Sequence, residues 1–161
     1  MGGLILIAAG ALAGYVESHK LAVRVEQVEA CLRFLSAAQT EIRFAALPVE
    51  QIVQRHGGEL EFLRICGENC NQGGRFSAAW DMGVTSGTKG RGFLAEDIAL
   101  LRGFGNGFGA SDVDGQLSHC TLYTELIGDR LKNAREEKNR KSKLYQLLGI
   151  FSGMAAALVL C

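Results

Sequence analysis

The residues whose types and spacing come closest to a chemical site form a glycine-rich stretch at 103–109. Gly105, Gly107 and Ala110 follow the Gly-x-Gly-x-x-Ala spacing of loops that bind the pyrophosphate of a dinucleotide. Such a loop follows a β-strand in a βαβ unit, because the strand directs the glycine backbone toward the phosphates. An amphipathic helix precedes the stretch here, so the pattern favours a flexible turn between two helices. The Gly-Thr-Lys-Gly string at 87–90 lacks phosphate-loop spacing and predicts a solvated turn.

Cysteines are the other candidate ligands and nucleophiles. The chain has five, spread without the rhythm of a disulfide framework. Cys66 and Cys70 are four residues apart and would share one face of a helix, but the three histidines are scattered and supply no second ligand pair. We therefore expect no metal site, and we expect free thiols that pack as small hydrophobes in a reducing compartment. The remaining candidates are Cys31, Cys120, Cys161, His19, His56 and His119.

Charged residues offer no pair of acids, no nucleophile beside a base and no metal cluster, so we expect neither enzymatic activity nor a cofactor. Asp112 and Asp114 lie at a predicted helix start, where capping and the helix dipole account for them. Glu41 and Arg43 lie among apolar residues, either as an ordinary ion pair on a solvated face or as partner-binding groups. Trp80, the single tryptophan, belongs either to the core or to an interface.

Both ends of the chain are apolar. Residues 1–16 have no charged side chain, and residues 144–161 have none either. As helices they would be about 24 and 27 Å long, slightly shorter than a hydrocarbon core of about 30 Å. A mismatch of a few Å costs little, since flanking lysines can extend to the membrane surface. We predict an N-terminal and a C-terminal transmembrane helix on either side of a central domain at 17–143.

Lys and Arg side chains lie only on the inner side of each predicted span. Cytoplasmic loops are enriched in these residues, so the central domain is predicted to be cytoplasmic. The basic run at 130–143 lacks the interleaved aromatic residues typical of nucleic-acid binding, and its position favours an anionic membrane surface. Alternatively, residues 1–13 are a cleaved signal peptide, because Ala11-Leu12-Ala13 has the form of a cleavage site. The absence of a basic segment before the apolar run argues against that alternative.

The central domain has about 127 residues, enough for one hydrophobic core. A single proline and few β-branched runs favour helices over a sheet. Apolar residues at intervals of three and four predict an amphipathic helix over 20–46 that continues from the first span. A long last helix is expected to run into the second span. The sequence therefore predicts an all-α fold, a bundle of about six helices between the two transmembrane helices.

Shorter helices are expected between these two long ones. Leu94 is expected to face the core from the fifth helix, and Val113 from the last. The expected bounds are 48–57 with Pro48 in the first turn, 59–68, 76–82, 93–104, and a final helix capped by Ser111 or Asp112, with a loop at 83–92 and a break at 103–109.

Several strings, in this order and at this chain length, resemble those of the stage III sporulation protein AB family of endospore-forming bacteria. The resemblance covers nearly the whole chain, and the glycine-rich insert before Gly109 departs from it. The strings are Gln39-Thr40-Glu41-Ile42-Arg43-Phe44 followed by Pro48, the Ala79-Trp80 pair, a Gly-x-Ser-Asp-x-x-x-Gln element at Gly109, Ser111, Asp112 and Gln116, and Lys143-Leu144-Tyr145 with Leu148-Gly149.

The resemblance implies a fold similar to the cytoplasmic domains of the inner-membrane platform protein of type II secretion and type IV pilus machines. It implies a component of the channel that joins mother cell and forespore, located in the mother-cell membrane. It also implies docking of a secretion-type ATPase, stage III sporulation protein AA, on the cytoplasmic face. The orientation predicted from the distribution of Lys and Arg agrees with this arrangement and is independent of the family resemblance.

We therefore predict a non-catalytic membrane platform that binds an ATPase, other channel-complex membrane proteins and copies of itself, with no nucleic acid. The polar members of the matching strings are the candidate partner-binding residues: Glu41, Arg43, Asp112 and Gln116. A platform subunit of a type II secretion or type IV pilus-like machine is the alternative, although such subunits generally repeat the helical domain and no repeat is found here. A membrane-bound hydrolase is a more distant alternative, because no catalytic set of residues supports it.

Overall fold

A computed structural model describes the backbone of residues 2–160 and the side chains of residues 15, 16, 18–145, 147, 148 and 151. Throughout that range the chain forms helices and turns without a strand, which confirms the all-α prediction and the expectation of about six helices. A 3₁₀ turn (Gly57–Glu59) joins the second helix to the third. The helices are α1 (Gly2–Ala45), α2 (Val49–His56), α3 (Glu61–Asn71), α4 (Phe76–Gly87), α5 (Ala95–Gly107) and α6 (Val113–Leu160).

The two long helices, α1 and α6, pack against each other in antiparallel directions and form the frame of the bundle. Side-chain hydrogen bonds show their register: Gln39 Nε2 donates to Thr124 Oγ1 at 3.3 Å, and Arg135 Nη2 donates to Glu29 Oε1 at 2.7 Å. Because of this register, the α1–α2 and α5–α6 turns lie at the end of the bundle opposite the chain termini. We call this the distal end.

Both long helices are continuous, as expected for helices that extend from the terminal segments. The predicted spans at 1–16 and 144–161 fall mostly outside the residues whose side chains are described. In the part of the chain that the structure does describe, none of the helices combines the length and the apolar character needed to cross a membrane.

The core combines the apolar stripe of α1 with a cluster of aromatic rings. Trp80 is buried, its ring centroid lies 5.6 Å from that of Phe62 and 5.5 Å from that of Phe104, and its Nε1 donates a hydrogen bond to the carbonyl of Leu101 at 2.8 Å. Trp80 is therefore a core residue and not an interface anchor. The predicted stripe on α1 is buried at Val25, Val28, Leu35, Ala38 and Ile42.

Two predicted irregular segments are helical, and close packing of glycine explains both. The predicted break at 103–109 is wrong over its first five residues, because α5 continues to Gly107. A Cβ at Gly105 would overlap the Trp80 indole. The predicted loop at 83–92 is likewise wrong up to Gly87, where a Cβ would lie 2.5 Å from the backbone of Phe62 on α3. These glycines bring neighbouring elements into contact, and α4 and α5 therefore continue as far as Gly87 and Gly107.

Two positions expected to face the core are exposed. Leu94 is 44% exposed and Val113 is 43% exposed. Leu94 is the residue before α5, and Val113 is the first residue of α6. At both helix starts the apolar pattern in the sequence extends past the part of the helix that packs on the core. The pattern therefore predicts burial for a residue that is exposed.

A buried ion cluster connects three helices at the centre of the bundle. Asp97 of α5 and Arg24 of α1 are both about 4% exposed, and Arg24 Nε donates to Asp97 Oδ2 at 3.0 Å. Arg130 Nε of α6 donates to the other carboxylate oxygen at 2.7 Å, and the Leu94 amide donates to Oδ2 at 2.9 Å. Glu137 of α6 also lies 3.5 Å from Arg24. Every oxygen of the buried carboxylate therefore has charged or backbone donors.

Burial raises the pKa of Asp97, but hydrogen bonds from Arg24, Arg130 and the Leu94 amide outweigh it and leave that pKa below its ordinary value. The carboxylate is therefore charged at neutral pH and compensates two arginines that come from opposite ends of the sequence.

Replacing Gly105 with alanine should destabilise the fold by about 1–3 kcal/mol, because the added methyl group forces Trp80 out of its site. Chemical denaturation of the full-length protein, followed by circular dichroism of the helical signal, measures the loss. The matched control is Gly128→Ala on α6, where a Cβ meets nothing within 4 Å and alanine should be neutral or favourable. Equal effects of the two variants would contradict the packing role of Gly105.

Replacing Asp97 with alanine should cost about 3–5 kcal/mol of unfolding free energy, because it leaves the buried Arg24 guanidinium without its main counter-charge. The control is Asp81→Ala, which breaks an Asp–Arg pair whose side chains are 67% and 48% exposed. That change should have a much smaller effect, since solvent screens exposed pairs. The same denaturation measurement tests both, and an Asp97 variant as stable as the Asp81 variant would show that the cluster contributes little.

Candidate partner-binding surface

The four candidate residues all lie toward the distal end. Glu41 and Arg43 are in the last turns of α1, and Asp112 and Gln116 are at the start of α6. The two turns are neighbours, since a Cβ on Gly109 would lie 3.0 Å from a methyl group of Val49 at the start of α2. Among the described contacts, no hydrogen bond or ion pair joins the Glu41 and Arg43 side chains to those of Asp112 and Gln116.

Glu41 holds α2 against α1. Its Oε1 accepts a hydrogen bond from Arg55 Nη1 at 3.1 Å and lies 2.7 Å from His56 Nε2. A carboxylate only accepts, so Nε2 is the protonated nitrogen of the ring. The hydrogen bond from His56, followed by that from Arg55, lowers the pKa of Glu41 below its ordinary value. The side chain is only 16% exposed, and its charge is largely engaged within the chain.

Asp112 and Gln116 build the first turn of α6. Asp112 Oδ1 accepts from the Gly115 amide at 3.0 Å, which is the N-cap hydrogen bond expected at this position. Gln116 Nε2 donates back to the carbonyl of Ser111 at 3.0 Å. The Gly-x-Ser-Asp-x-x-x-Gln element is therefore accounted for as a helix-starting motif.

Arg43 and Phe44 are exposed at this end of the bundle. Arg43 is exposed, and no residue in the described range pairs with it. Phe44 is 81% exposed, the highest value among the exposed large apolar side chains, and Val113 is 43% exposed on the adjoining turn. The chain then turns at Ala46, which has a φ of 48°. We name Arg43, Phe44 and Val113 the distal surface.

Sequence reasoning selected Arg43 and missed Phe44. An exposed aromatic residue beside an arginine is the composition enriched at interaction hot spots. Phe44 lies just before the turn to Pro48 and outside the inward-facing apolar stripe of α1. This position in the sequence could have identified Phe44 as an exposed residue.

The structure offers little for chemistry. Within the described residues, no three His, Cys, Asp or Glu side chains are placed to hold a metal ion. Burial raises the pKa of Cys66 to about 12 and that of Cys120 to about 11, so these thiols are protonated at neutral pH. A cleft of about 180 Å³ between α1 and the α2–α3 connection is lined by the Arg33–Glu59 ion pair, His56 and apolar side chains.

At the other end of the long helices, large apolar side chains point into solvent. On α1, Tyr15 is 72% exposed and Val16 is 51% exposed. On α6, the exposed apolar residues are Leu144 at 54%, Leu147 at 52%, Leu148 at 55% and Phe151 at 62%. Contiguous apolar exposure of this kind is unusual for a protein surface in water. We name these six residues the proximal surface.

Comparisons with known proteins agree with the sequence resemblance. The family model described as stage III sporulation protein AB matches residues 1–161, the whole chain. Among solved structures, one titled "Stage III sporulation protein AB (SpoIIIAB)" is similar with a TM-score of 0.66 and 16% identity. The similarity covers 73% of this chain and 98% of that one, and at this identity it shows a shared fold. No match is found among the curated proteins.

Replacing Glu41 with glutamine should make stability less dependent on pH in the acidic range. The pKa of Glu41 is lowered by folding, so its contribution is complete above about pH 4.5 and is lost as the pH falls through the lowered value. The difference in unfolding free energy between wild type and variant should therefore shrink on acidification. Denaturation at a series of pH values measures it. Glu136→Gln, which changes an exposed glutamate on α6, is the control, and an equal shrinkage in that variant would contradict the role of the Arg55 and His56 contacts.

Proposed function

Because the chain belongs to the stage III sporulation protein AB family, we propose that it is a non-catalytic platform in the mother-cell membrane during sporulation. In this proposal its central domain, 17–143, faces the cytoplasm and docks a secretion-type ATPase, stage III sporulation protein AA. Copies of this chain and other membrane proteins complete the channel complex between mother cell and forespore. The observation that carries the proposal is the pair of continuous long helices with exposed surfaces at both ends.

The proximal surface supports the membrane anchor. Its six exposed apolar residues belong to the apolar sequences at 1–16 and 144–161 themselves. Lipid contact would remove this surface from water, at a gain of about 25 cal/mol per Å². The basic residues on the inner side of both segments favour a cytoplasmic central domain.

The distal surface supports partner docking. It lies at the end of the bundle farthest from the proposed membrane, where a cytoplasmic protein has free access. Arg43 offers charge-assisted hydrogen bonds, and Phe44 offers an aromatic side chain that is now almost fully in water. Glu41, Asp112 and Gln116 support this surface by holding the two turns in place.

Binding of purified stage III sporulation protein AA to the full-length protein in detergent tests the docking site. Phe44→Ala and Arg43→Glu should each weaken binding by about tenfold or more, as for residues at the centre of an interface. Both side chains are exposed, so the variants should keep wild-type circular dichroism.

The matched controls are Leu122→Ala and Lys132→Glu, which make the same kinds of change on the exposed side of α6. They should bind the ATPase like wild type. Undiminished binding by both distal variants would reject Arg43 and Phe44 as the contact, and absence of binding by wild type would reject direct docking.

A further inference from the structure

We infer that the inner edge of the proximal surface is a binding site for anionic phospholipid headgroups, formed by Lys138, Arg140 and Lys143 of α6. The inference rests on the proposed membrane location and adds a lipid preference to it. The three cations lie within a stretch of six residues, which spans about 7.5 Å along the helix axis, and directly precede the exposed apolar residues that begin with Leu144.

These cations differ from the arginines deeper in the bundle in having no acidic partner among the residues whose side chains are described. Arg130 pairs with Asp97, and Arg135 pairs with Glu29 at 2.7 Å. No acidic side chain in the described range pairs with Lys138, Arg140 or Lys143. Arg140 and Lys143 are exposed and, three residues apart, share one face of α6. Lys138 is half-buried on another face of the helix, so the three cations would contact different headgroups of a lipid layer.

The acidic residues that precede these cations on α6 do not cancel their charge. Glu137 lies 3.1 Å from Lys141 and 3.5 Å from Arg24, so its carboxylate is already shared between two cations. Glu136 precedes the three cations along α6 and is therefore farther from the apolar residues that begin with Leu144. Positions 138–143 contain four basic residues and no acidic residue, which leaves an excess of positive charge next to the apolar zone.

The order of charged and apolar side chains along the two long helices indicates the chemical class of the ligand. The cations come first, and the exposed Leu144, Leu147 and Phe151 follow toward the terminus. On α1, the 72% exposed Tyr15 stacks on His19 with 6.5 Å between ring centroids, at the height where membrane proteins place aromatic residues. A phospholipid with an anionic headgroup offers phosphate oxygens next to acyl chains, and so matches both layers at once.

Retention of lipid by the purified full-length protein, counted by native mass spectrometry from neutral detergent, tests the inference. Wild type should retain phosphatidylglycerol in preference to phosphatidylcholine. The triple variant Lys138→Gln, Arg140→Gln, Lys143→Gln should lose this preference by about fivefold for each charge removed. Lys132→Gln removes an exposed lysine from the same helix, about 9 Å nearer the distal end than Lys138 and about 16 Å nearer than Lys143, and should keep the preference.

Further experiments distinguish a lipid site from a site for free phosphate, and failure of the lipid preference from failure of the membrane proposal. Inorganic phosphate at the lipid concentration should not displace phosphatidylglycerol, and displacement would show a site for free phosphate instead. A triple variant with wild-type preference would overturn the headgroup site. Flotation with vesicles distinguishes the two proposals: equal flotation with neutral and anionic vesicles overturns only the lipid preference. A wild-type protein that stays in the aqueous phase overturns the membrane platform as well.

Discussion

The fold depends on one buried carboxylate. Asp97 lies between Arg24 of α1 and Arg130 of α6, and any arrangement that separates them leaves a charge buried without a partner. Apolar packing alone would tolerate small slides of two long helices past each other, since leucine-like surfaces are similar from turn to turn. The ion cluster does not tolerate such slides, because its hydrogen bonds are directional and short-ranged. We infer that Asp97 sets the register of α1 against α6 and seats α5 on both.

That register determines where the two surfaces lie. The distal surface and the proximal surface belong to the same pair of helices, and both helices run between them without a break. From Lys20 to Arg43, α1 rises about 35 Å. In the proposed orientation, an ATPase bound at Phe44 would therefore be held at a fixed height above the membrane, because a continuous helix pair packed side by side bends little. The short helices α2 to α5 fill one flank of this frame and add rigidity.

Local periodicity predicted most of the helices, because an amphipathic stripe reports directly which face is buried. It failed at Gly83–Gly87 and Gly103–Gly107, since glycine breaks a solvated helix but allows close contact in a packed one. The role of Asp97 was also missed. Its partners lie 73 and 33 residues away, and an aspartate in the first turn of a helix is explained equally well by the helix dipole. Phe44 was missed because an aromatic residue in an apolar stretch is usually buried.

The residues that carried the family resemblance prove to be mainly builders of the distal turns. Glu41 holds α2, Asp112 caps α6, and Gln116 closes its first turn through the Ser111 carbonyl. The Glu41 and Asp112 carboxylates and the Gln116 amide nitrogen are engaged inside the chain, and a partner would first have to break those bonds. Gln116 Oε1 is buried without a hydrogen-bond partner among the described residues. Other members of the same strings, Arg43 and Phe44, are left exposed where the turns meet solvent. A motif can therefore mark a surface because some of its residues shape the backbone there while others remain accessible.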